Sequence, residues 1–420
     1  MSTSRILHLA QIIAAQTALV DEHISNSGVA APSFEADAPI EPIQKSNAEV
    51  ERARVSAVEA SIELRQLLEG PIKLILPESN FAPLAAIYRF KIATAVSPEG
   101  STSFTDIASK CGLLEHDVRR LIRYASAHHR CFQESEKGRV SHTAASKLLA
   151  ENEQIGHLMG LTFAECWPAH SRSLDAMAQK SEEPNVSGFS LANSTRLNMF
   201  EFLAQNPDRA QRFAGAMSTT SQASLDALAT YFDWANLPDG GTVVDVGGAQ
   251  GHVSVSLAQR FPQLRFVVED MQEVVKDAHN KIPDGLKEKI RLVAHDMFTE
   301  QPIKNADVFL LRYVLHDWPD KYCVKVIEGL APALKQGAKV VIQDHLLPEP
   351  GSLSLLQEMM IRSMDNIMLS LFNSREREVD DWKDLFNRAH GKQWVVSVTR
   401  VKENPSTGII VAEWLGDLES

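Results

Sequence analysis

One histidine lies where a side chain could do acid–base chemistry. His316 occurs in the segment LLRYVLHDWPD, just after an apolar run that ends near Tyr313. The chain has 14 histidines, and most are expected to be structural or exposed. His316 differs because the carboxyl end of a buried strand is where α/β sheets place their ligands. An imidazole titrates near neutral pH, so His316 is a candidate general base.

A glycine-rich turn follows another buried strand, in the segment TVVDVGGAQGHVSVSLAQRFPQLRFVVED. The strand runs into Asp245, and a helix is predicted to begin near His252. Between them lie Gly247, Gly248 and Gly251. Glycine suits this turn because the chain bends tightly and a ligand can lie against the backbone. The segment lacks the Gly-x-Gly-x-x-Gly pattern of dinucleotide sites, and the acid ahead of the glycines favours a ligand with a cationic ammonium group.

Two carboxylates, Glu269 and Asp270, end the next strand of the same segment. A carboxylate at this position can accept hydrogen bonds from both ribose hydroxyls of an adenosine. The order strand, acid, glycine turn, helix, strand and acid is far more specific than a glycine loop alone. It predicts a site for a cationic ligand that contains adenosine.

Short apolar runs separated by helical segments continue through the second half of the chain. The runs are Thr242–Val246, Phe266–Val268, Ile290–Val293, Val308–Leu311 and Lys339–Gln343. Strands that alternate with helices predict a parallel sheet covered on both faces. The predicted fold class is therefore α/β, a Rossmann-like doubly wound domain preceded by a helical region.

The sequence pattern predicts that the first half of the chain is mainly helical. We predict an amphipathic helix at residues 1–20, a flexible Ala- and Pro-rich linker at 26–47 and a helix from Ala48 to about Leu68. Between Leu84 and Leu149, three short helices precede two extended pieces around Lys137-Gly138, a pattern typical of a winged helix. The predicted domains are 1–47 (helix and linker), 48–235 (helical, winged-helix dimerisation and substrate wall) and 236–420 (catalytic α/β domain).

Composition and charge narrow the class of protein. The chain has 420 residues, 44% of them hydrophobic and 23% charged, and a formal net charge of −12. Such a charge argues against a nucleic-acid binder. The four cysteines (Cys111, Cys131, Cys166 and Cys323) form no CxxC pair, which suits a reducing compartment and predicts neither zinc nor disulfides. No long apolar stretch is present, so we expect a protein of the cytoplasm without a membrane partner.

The motifs together resemble the class I S-adenosylmethionine-dependent O-methyltransferases of plant and fungal secondary metabolism, the fungal subgroup best. The first family motif is acid-x-Gly-x-Gly-x-Gly, which Asp245, Gly247 and Gly251 match, with Ala249 in place of the middle glycine. We expect Ala249 to be tolerated if it avoids positive φ. His295-Asp296-Met297-Phe298, LLRYVLHDWPD and NSRERE match further motifs, and the resemblance covers about residues 80–415.

The resemblance implies S-adenosyl-L-methionine as cofactor and assigns residues by position. Cofactor contacts fall on Asp245, Gly247, Gly248, Gly251, Asp270, Asp296, Met297, Arg312 and Trp318, with Asp270 on the ribose (Glu269 second) and Asp296 and Met297 on the adenine. His316 is implied as the base, and either Asp344 or Glu376 as the acid that orients it. The acceptor pocket is implied to be lined by Trp167, Phe213, Met217, Met364, Asp365 and Met368. Apolar, polarizable walls suit a flat aromatic or polyketide substrate.

The resemblance also implies a homodimer and no metal, since no carboxylate cluster like that of magnesium-dependent catechol methyltransferases is recognised. Two enzyme readings stay open: O-methylation of a phenolic or enolic hydroxyl, or dehydration or pericyclic cyclisation by a methyltransferase-like protein that transfers no methyl group. Arg312 and the uncommon Met271-Gln272 pair keep the second open. A winged-helix regulator would need a basic face, which the isoelectric point of about 5.6 disfavours.

Overall fold

The computed structural model describes residues 4–41, 47–76, 80–217, 222–276 and 278–416. The chain divides into two compact units, Met1–Ala164 and Glu165–Ser420. The helical residues 165–235 therefore fall in the same unit as the α/β sheet. The functional boundary at 235/236 remains a prediction, and residues 42–46 of the predicted linker lie outside the described part of the chain.

The first unit is mainly helical. Its helices are α1 (Arg5–Ser27), α2 (Ala48–Glu69), α3 (Pro71–Ile75), α4 (Ala82–Arg89), α5 (Ile92–Ala95), α6 (Phe104–Cys111), α7 (Glu115–His129), α8 (Ala144–Glu151) and α9 (Glu153–Gly160). Its strands are β1 (Thr102–Ser103), β2 (Gln133–Glu136) and β3 (Arg139–Ser141). The predicted N-terminal helix, residues 1–20, extends further toward the C-terminus than expected, and residues 1–3 lie outside the described part of the chain. It begins at the Ser4 cap and ends at Gly28, which adopts the left-handed conformation that glycine allows.

Helices and a hairpin in the order of a winged helix are present in this unit. Helices α4 to α7 precede the β2–β3 hairpin, and the short β1 pairs with β3 to give a three-stranded sheet. Ile107, Ile122 and Val140 are fully buried in the core between them. The apolar spacing that suggested the motif therefore corresponds to one packed cluster.

The second unit contains the large sheet. Its helices are α10 (Trp167–Met177), α11 (Gly188–Ala192), α12 (Met199–Ala204), α13 (Pro207–Met217), α14 (Gln222–Tyr231), α15 (His252–Arg260), α16 (Gln272–Val275), α17 (Asp320–Leu330), α18 (Leu355–Phe372) and α19 (Val379–Arg388). Its strands are β4 (Thr242–Val246), β5 (Arg265–Asp270), β6 (Ile290–Ala294), β7 (Val308–Arg312), β8 (Lys339–His345), β9 (Trp394–Arg400) and β10 (Thr407–Trp414). Short 3₁₀ turns occur at Trp234–Asn236, Ala278–Lys281, Asp284–Leu286, Leu315–Asp317, Ala331–Ala333 and Gly391–Gln393. A π-helix, Leu161–Cys166, begins in the first unit and ends in the second.

The sheet is mixed, which corrects the prediction of a purely parallel one. Its order is β6-β5-β4-β7-β8-β10-β9; the five predicted strands β4 to β8 run parallel, and β10 is antiparallel to both its neighbours. Strands β9 and β10 were not predicted. The physical reason for the antiparallel pair is the short connection at 401–406, because a parallel crossover needs a dozen or more residues.

Apolar side chains cover both faces of this sheet. Phe309 and Ile342 face a cluster that includes Trp382, and Val243 and Leu310 belong to a second cluster. The faces alternate along each strand, as strand geometry requires. The carboxyl ends of the parallel strands therefore form one edge, and the predicted functional residues follow those ends.

Within the described ranges, no helix combines the length and apolar character that crossing a bilayer requires.

Candidate active site

His316 lies in a buried turn directly after β7. The strand ends at Arg312, and Leu315–Asp317 form one 3₁₀ turn. The side chain of His316 is only 10% exposed, while Leu315 is fully buried and anchors the turn in the core. The position at the carboxyl edge is the one the sequence suggested.

Three carboxylates surround the His316 ring. Glu376 Oε1 lies 3.0 Å from Nδ1, and Asp344 Oδ1 lies 3.4 Å from the same nitrogen. Asp344 Oδ2 also accepts the backbone N–H of His316 at 3.2 Å. Asp317 Oδ1 lies 3.6 Å from the other ring nitrogen, Nε2, which is too far for a hydrogen bond. Glu376 thus holds the ring while Asp344 holds the backbone.

The four groups shift one another's protonation. Burial alone would lower the pKa of His316, but Asp344, Asp317 and Glu376 together raise that pKa well above its usual value. Burial raises the pKa of Asp317 to about 7 and that of Asp344 to about 6. Burial would also raise the pKa of Glu376, but His316 outweighs it and the Glu376 pKa is lowered. Glu376 is therefore the carboxylate that stays ionised against the imidazole.

Two further residues hold this constellation, and the sequence did not assign them these roles. Arg377 is fully buried; its guanidinium donates to the backbone oxygens of Leu315 at 3.0 Å and Trp318 at 2.8 Å, on either side of His316. Asp365, implied as a substrate residue, accepts the backbone N–H of Glu376 at 2.8 Å. The only sequence signal was the adjacency of Arg377 to Glu376, and a run of alternating charges hid it.

The glycine turn after β4 is closely packed. The N–H groups of Gly247 and Gly248 both donate to the backbone oxygen of Glu269, at 2.8 and 3.1 Å. A Cβ at Gly248 would lie 2.6 Å from Asp245 Cγ, so no other residue fits without movement. Gly251 has φ +82° and lies directly before α15. This is the cradle that a ligand lying against the backbone requires.

Ala249 replaces the middle glycine of the family motif and was expected to be tolerated only if its φ is not positive. Its φ is +50°, in the left-handed region that glycine favours. Its N–H donates to Asp270 Oδ2 at 2.9 Å. The condition that Ala249 avoids positive φ is therefore not met, and the alanine is strained.

The two carboxylates at the end of β5 have different surroundings. Asp270 Oδ2 faces the glycine turn, and Oδ1 accepts the N–H of Met271. Glu269 is buried away from the turn, where its Oε2 meets His295 Nδ1 at 3.0 Å and Gln301 Nε2 at 2.8 Å. The geometry favours Asp270 over Glu269 for a ligand above the turn.

Asp245 is a buried carboxylate below the same turn. It accepts a hydrogen bond from Ser254 Oγ at 2.7 Å. Burial raises its pKa to about 6, and Ser254 and the charge of Arg312 oppose that rise. A cationic group bound nearby would offset the unfavourable burial. The glycine cradle, Asp245 and Asp270 thus fit the cationic adenosine ligand.

The other implied cofactor residues lie at or beside the same edge. Arg312 ends β7, and its Nε donates to Gln343 Oε1 at 2.8 Å. Asp296 is exposed just beyond β6, and Met297 packs against the core beneath. Trp318 is buried, with its ring centroid 4.6 Å from that of Phe298.

The implied acceptor residues come from three helices of the second unit. Helix α10, which begins at Trp167, packs on α18, where His170 Nδ1 meets Ser370 Oγ at 2.6 Å. Of the α18 residues, Met368 is buried, Met364 is half-buried and Asp365 touches Glu376. The Phe213 ring on α13 lies 6.2 Å from Phe200, which in turn stacks on Trp318 at 5.7 Å. Trp167 and Met217 are more exposed, at 38% and 47%.

The spacing around His316 would also admit a metal ion. Single ligand atoms of His316, Asp344 and Glu376 lie within 4.8 Å of one another. A hydrogen-bonded His–carboxylate group has the same spacing, and the 3.0 Å Nδ1–Glu376 distance is a hydrogen bond. The geometry therefore has an explanation that needs no ion.

Comparisons with known proteins identify the family of this chain. An O-methyltransferase domain family model matches residues 174–391. The grayanic acid biosynthesis cluster O-methyltransferase of Cladonia grayi is 42% identical over 98% of this chain and 88% of its own length. The chlorophenol O-methyltransferase of Trichoderma longibrachiatum is 33% identical over 98% of this chain and 90% of its own length.

Solved structures share the fold at lower identity. OxaC has a TM-score of 0.76 at 19% identity, covering 98% of this chain and all of its own. LepI, solved with S-adenosylmethionine, has a TM-score of 0.69 at 20% identity, covering 96% of this chain and 99% of its own. The chain belongs to the fungal O-methyltransferases that use S-adenosyl-L-methionine.

Proposed function

We propose that the chain methylates a phenolic or enolic hydroxyl of a small fungal secondary metabolite of polyketide type, with His316 as general base. The observation that carries this proposal is the 3.0 Å contact between His316 Nδ1 and Glu376 in a buried turn at the sheet edge. It supports a tautomer in which Nδ1 bears the hydrogen and Nε2 can accept one.

S-Adenosyl-L-methionine, when bound, supplies an activated methyl group. We assign its binding to the glycine turn and the residues around it: Asp245, Gly247, Gly248, Gly251, Asp270, Asp296, Met297, Arg312 and Trp318. The chain's own part is then to position the acceptor and remove its proton. His316 takes that proton at Nε2, and Glu376 stabilises the imidazolium that results.

We assign the acceptor wall to Trp167, Phe213, Met217, Met364, Asp365 and Met368. Aromatic and thioether side chains favour a flat aromatic molecule. The name of the chlorophenol O-methyltransferase, similar along nearly the whole chain, supports a phenol as the acceptor class. Asp365 contributes indirectly, since its carboxylate holds the backbone of Glu376.

The test uses methyl-labelled S-adenosylmethionine and a panel of phenolic polyketides and hydroxypyridones, with products followed by mass. Wild type is compared with His316→Ala and, as a matched control, with His279→Ala, since His279 is exposed. We expect a gain of one methyl group that His316→Ala loses and His279→Ala keeps. Methylation at full rate by His316→Ala would refute the base assignment.

A second function is dehydration or pericyclic cyclisation without methyl transfer. The observation that favours it is the raised pKa of His316, since a charged imidazolium at neutral pH can donate a proton. Substrate consumed at unchanged mass, or with loss of water, would establish this function and overturn methylation.

We also propose that the chain is a homodimer assembled through its first half, with 48–235 as dimerisation and substrate-wall domain and 236–420 as catalytic domain. Apolar residues at the end of α2 and along α3 support an interface there; Leu68, Ile72 and Ile75 are 66%, 69% and 76% exposed. The four free cysteines agree with the reducing compartment that we propose, the cytoplasm.

A further inference from the structure

A second imidazole lies beside His316 at the carboxyl edge of the sheet. His345 is the last residue of β8 and is half-buried. Its ring centroid is 5.9 Å from that of His316 and 5.0 Å from that of Tyr313. The catalytic set proposed above leaves this histidine without a role.

The contacts of His345 fix which of its nitrogens is free. Nδ1 lies 3.3 Å from the backbone oxygen of Ser406. A carbonyl oxygen only accepts, so Nδ1 carries the hydrogen, and Nε2 of the neutral ring has an available lone pair. Burial lowers the pKa of His345 and so favours that neutral form. Over the described ranges of the chain, no group forms a hydrogen bond with Nε2.

Tyr313, whose ring lies beside both histidines, has a strained backbone conformation. Its φ is +50°, which a bulky side chain rarely adopts. The guanidinium carbon of Arg312 lies 4.7 Å from the Tyr313 ring centroid, and the Tyr313 hydroxyl lies 3.5 Å from Ser224 Oγ. Strain of this kind clusters at functional sites, where the surroundings hold the residue in place. Here the strained backbone of Tyr313 places its aromatic ring beside both histidines.

We propose that His345 is a second recognition group for the acceptor. Its Nε2 accepts a hydrogen bond from one hydroxyl of a dihydroxylated aromatic molecule whose other hydroxyl faces His316. The imidazole centroids are 5.9 Å apart, and each hydrogen bond spans about 2.8 Å, so two oxygens of one small molecule can reach both rings. The substrate class is thus a phenol with a second hydroxyl on the same ring or on a fused ring.

This assignment rests on the proposed function and adds a selection rule to it. A monohydroxylated phenol leaves Nε2 of His345 without a donor. A binding site that leaves a polar group unpaired discriminates against the ligand that lacks the matching group. His345 therefore selects the dihydroxylated acceptor.

The test compares two classes of probe in the full-length chain with labelled S-adenosylmethionine. Catechol, resorcinol and 1,8-dihydroxynaphthalene represent dihydroxylated acceptors; phenol and 1-naphthol represent monohydroxylated ones. The variants are His345→Leu, which removes both nitrogens, and His345→Gln, whose amide can reach the position of Nε2. His279→Leu removes an exposed imidazole as the matched control.

We expect His345→Leu to lower kcat/KM about 10-fold for at least one dihydroxylated probe, mainly through KM, and less than about 3-fold for the monohydroxylated ones. We expect His345→Gln to recover part of the loss and His279→Leu to show none. Equal losses for both classes would mean a structural role and overturn the proposal, as would no loss for either class.

A binding measurement separates this proposal from the assignment of methyl transfer. Calorimetric titration of the same probes into the chain saturated with S-adenosylhomocysteine needs no turnover. Preference for a dihydroxylated probe that is lost in His345→Leu would support the recognition role even if no methylated product forms. Absence of that preference in the wild type would overturn the role even if methylation is observed.

Discussion

At the scale of single residues, Glu376 offers the most direct test of the proposed base, His316. In Glu376→Gln the side chain keeps its size but loses its charge, so His316 loses a partner that raises its pKa. Because the base must be neutral, activity falls as the pH drops through the His316 pKa. We expect the acid limb of the kcat–pH profile to move to lower pH and kcat at its optimum to fall about 100-fold.

The control for that measurement is cofactor affinity, which we expect Glu376→Gln to leave unchanged because the hydrogen bonds of Glu376 go to His316 and Asp365. An unshifted acid limb would show that another group than His316 controls the profile.

We expect the Asp245 carboxylate to have opposite effects on two quantities: it lowers the stability of the fold and strengthens cofactor binding. An acid whose pKa rises from 3.8 to about 6 on folding stabilises the fold while it is protonated, and this advantage is lost as the pH rises between those values. Asp245→Asn has no charge to bury. We expect it to be more stable than the wild type above pH 6, by about 1–3 kcal/mol, and equally stable near pH 4, while it binds S-adenosylmethionine more weakly.

Chemical denaturation of the cofactor-free chain at the two pH values measures the first effect, and calorimetric titration measures the second. A stability difference that is the same at both pH values would exclude titration of Asp245 as its cause.

Ala249 offers a separate change in the same turn. A left-handed conformation costs a non-glycine residue about 1–2 kcal/mol, and glycine removes this cost. Glycine also makes the unfolded chain more flexible, which offsets about 0.5–1 kcal/mol of the stabilisation. We expect Ala249→Gly to raise the free energy of unfolding by about 0.5 kcal/mol and Ala249→Val to lower it, because a β-branched residue is more strained there. Denaturation midpoints measure both variants, and changes of the same sign would contradict the argument.

At this scale the candidate residues could be predicted from the sequence better than the contacts that they make. His316 and Glu376 were assigned by motif, and the structure places them 3.0 Å apart. The choice between Asp344 and Glu376 stayed open because one acid binds the ring and the other the backbone of His316, a difference that spacing does not encode. Asp365 was assigned to the acceptor pocket by the family resemblance. Nothing in a helical pattern shows that its carboxylate accepts the backbone N–H of Glu376.

At the scale of elements, the turn that carries His316 depends on Arg377. Its guanidinium donates to two carbonyl oxygens of the turn and to Asp320 Oδ1. Lysine keeps the charge but not the planar fork. We expect Arg377→Lys to lower the free energy of unfolding by about 2–3 kcal/mol and to lower kcat more than it lowers cofactor affinity.

Arg375→Lys is the matched control. Arg375 also pairs with Asp320, but it is 47% exposed, and the lysine can retain the charge pairing. We expect its effect to be below about 1 kcal/mol. Equal effects of the two substitutions would mean that the fork of Arg377 does not hold the turn.

The parallel strands could be predicted because each contains a short, mostly apolar run. The expected helix between β6 and β7 is absent, since residues 295–307 contain none. β4 was predicted with its observed bounds, and β5 to β8 to within a few residues. β9 begins at the buried Trp394, after which exposed and half-buried side chains alternate. It therefore lacks the run of buried residues seen in β4, β5, β7 and β8. β10 is almost entirely buried because it lies inside the sheet, a position that depends on strand order and not on local pattern.

At the scale of the whole molecule, the exposed apolar residues of α3 test the proposed dimer. We expect the double substitution Ile72→Asp, Ile75→Asp to convert a dimer into a monomer in light scattering, because two buried charges oppose association. Leu174→Asp is the matched control, since Leu174 is 76% exposed in the second unit. A dimer that persists in the double variant, or after deletion of residues 1–47, would exclude these segments from the interface.

The position of β10 has a consequence for how the sheet is assembled. β10 pairs with both β8 and β9, so β9 has no place in the sheet until the strand that follows it has inserted. Until then β8 presents a free edge rich in valine and isoleucine, the kind of edge that recruits other chains. A chain shortened to residue 406 would therefore lose the interior strand β10, and we expect this variant to precipitate. Loss of an edge strand would only loosen the sheet locally.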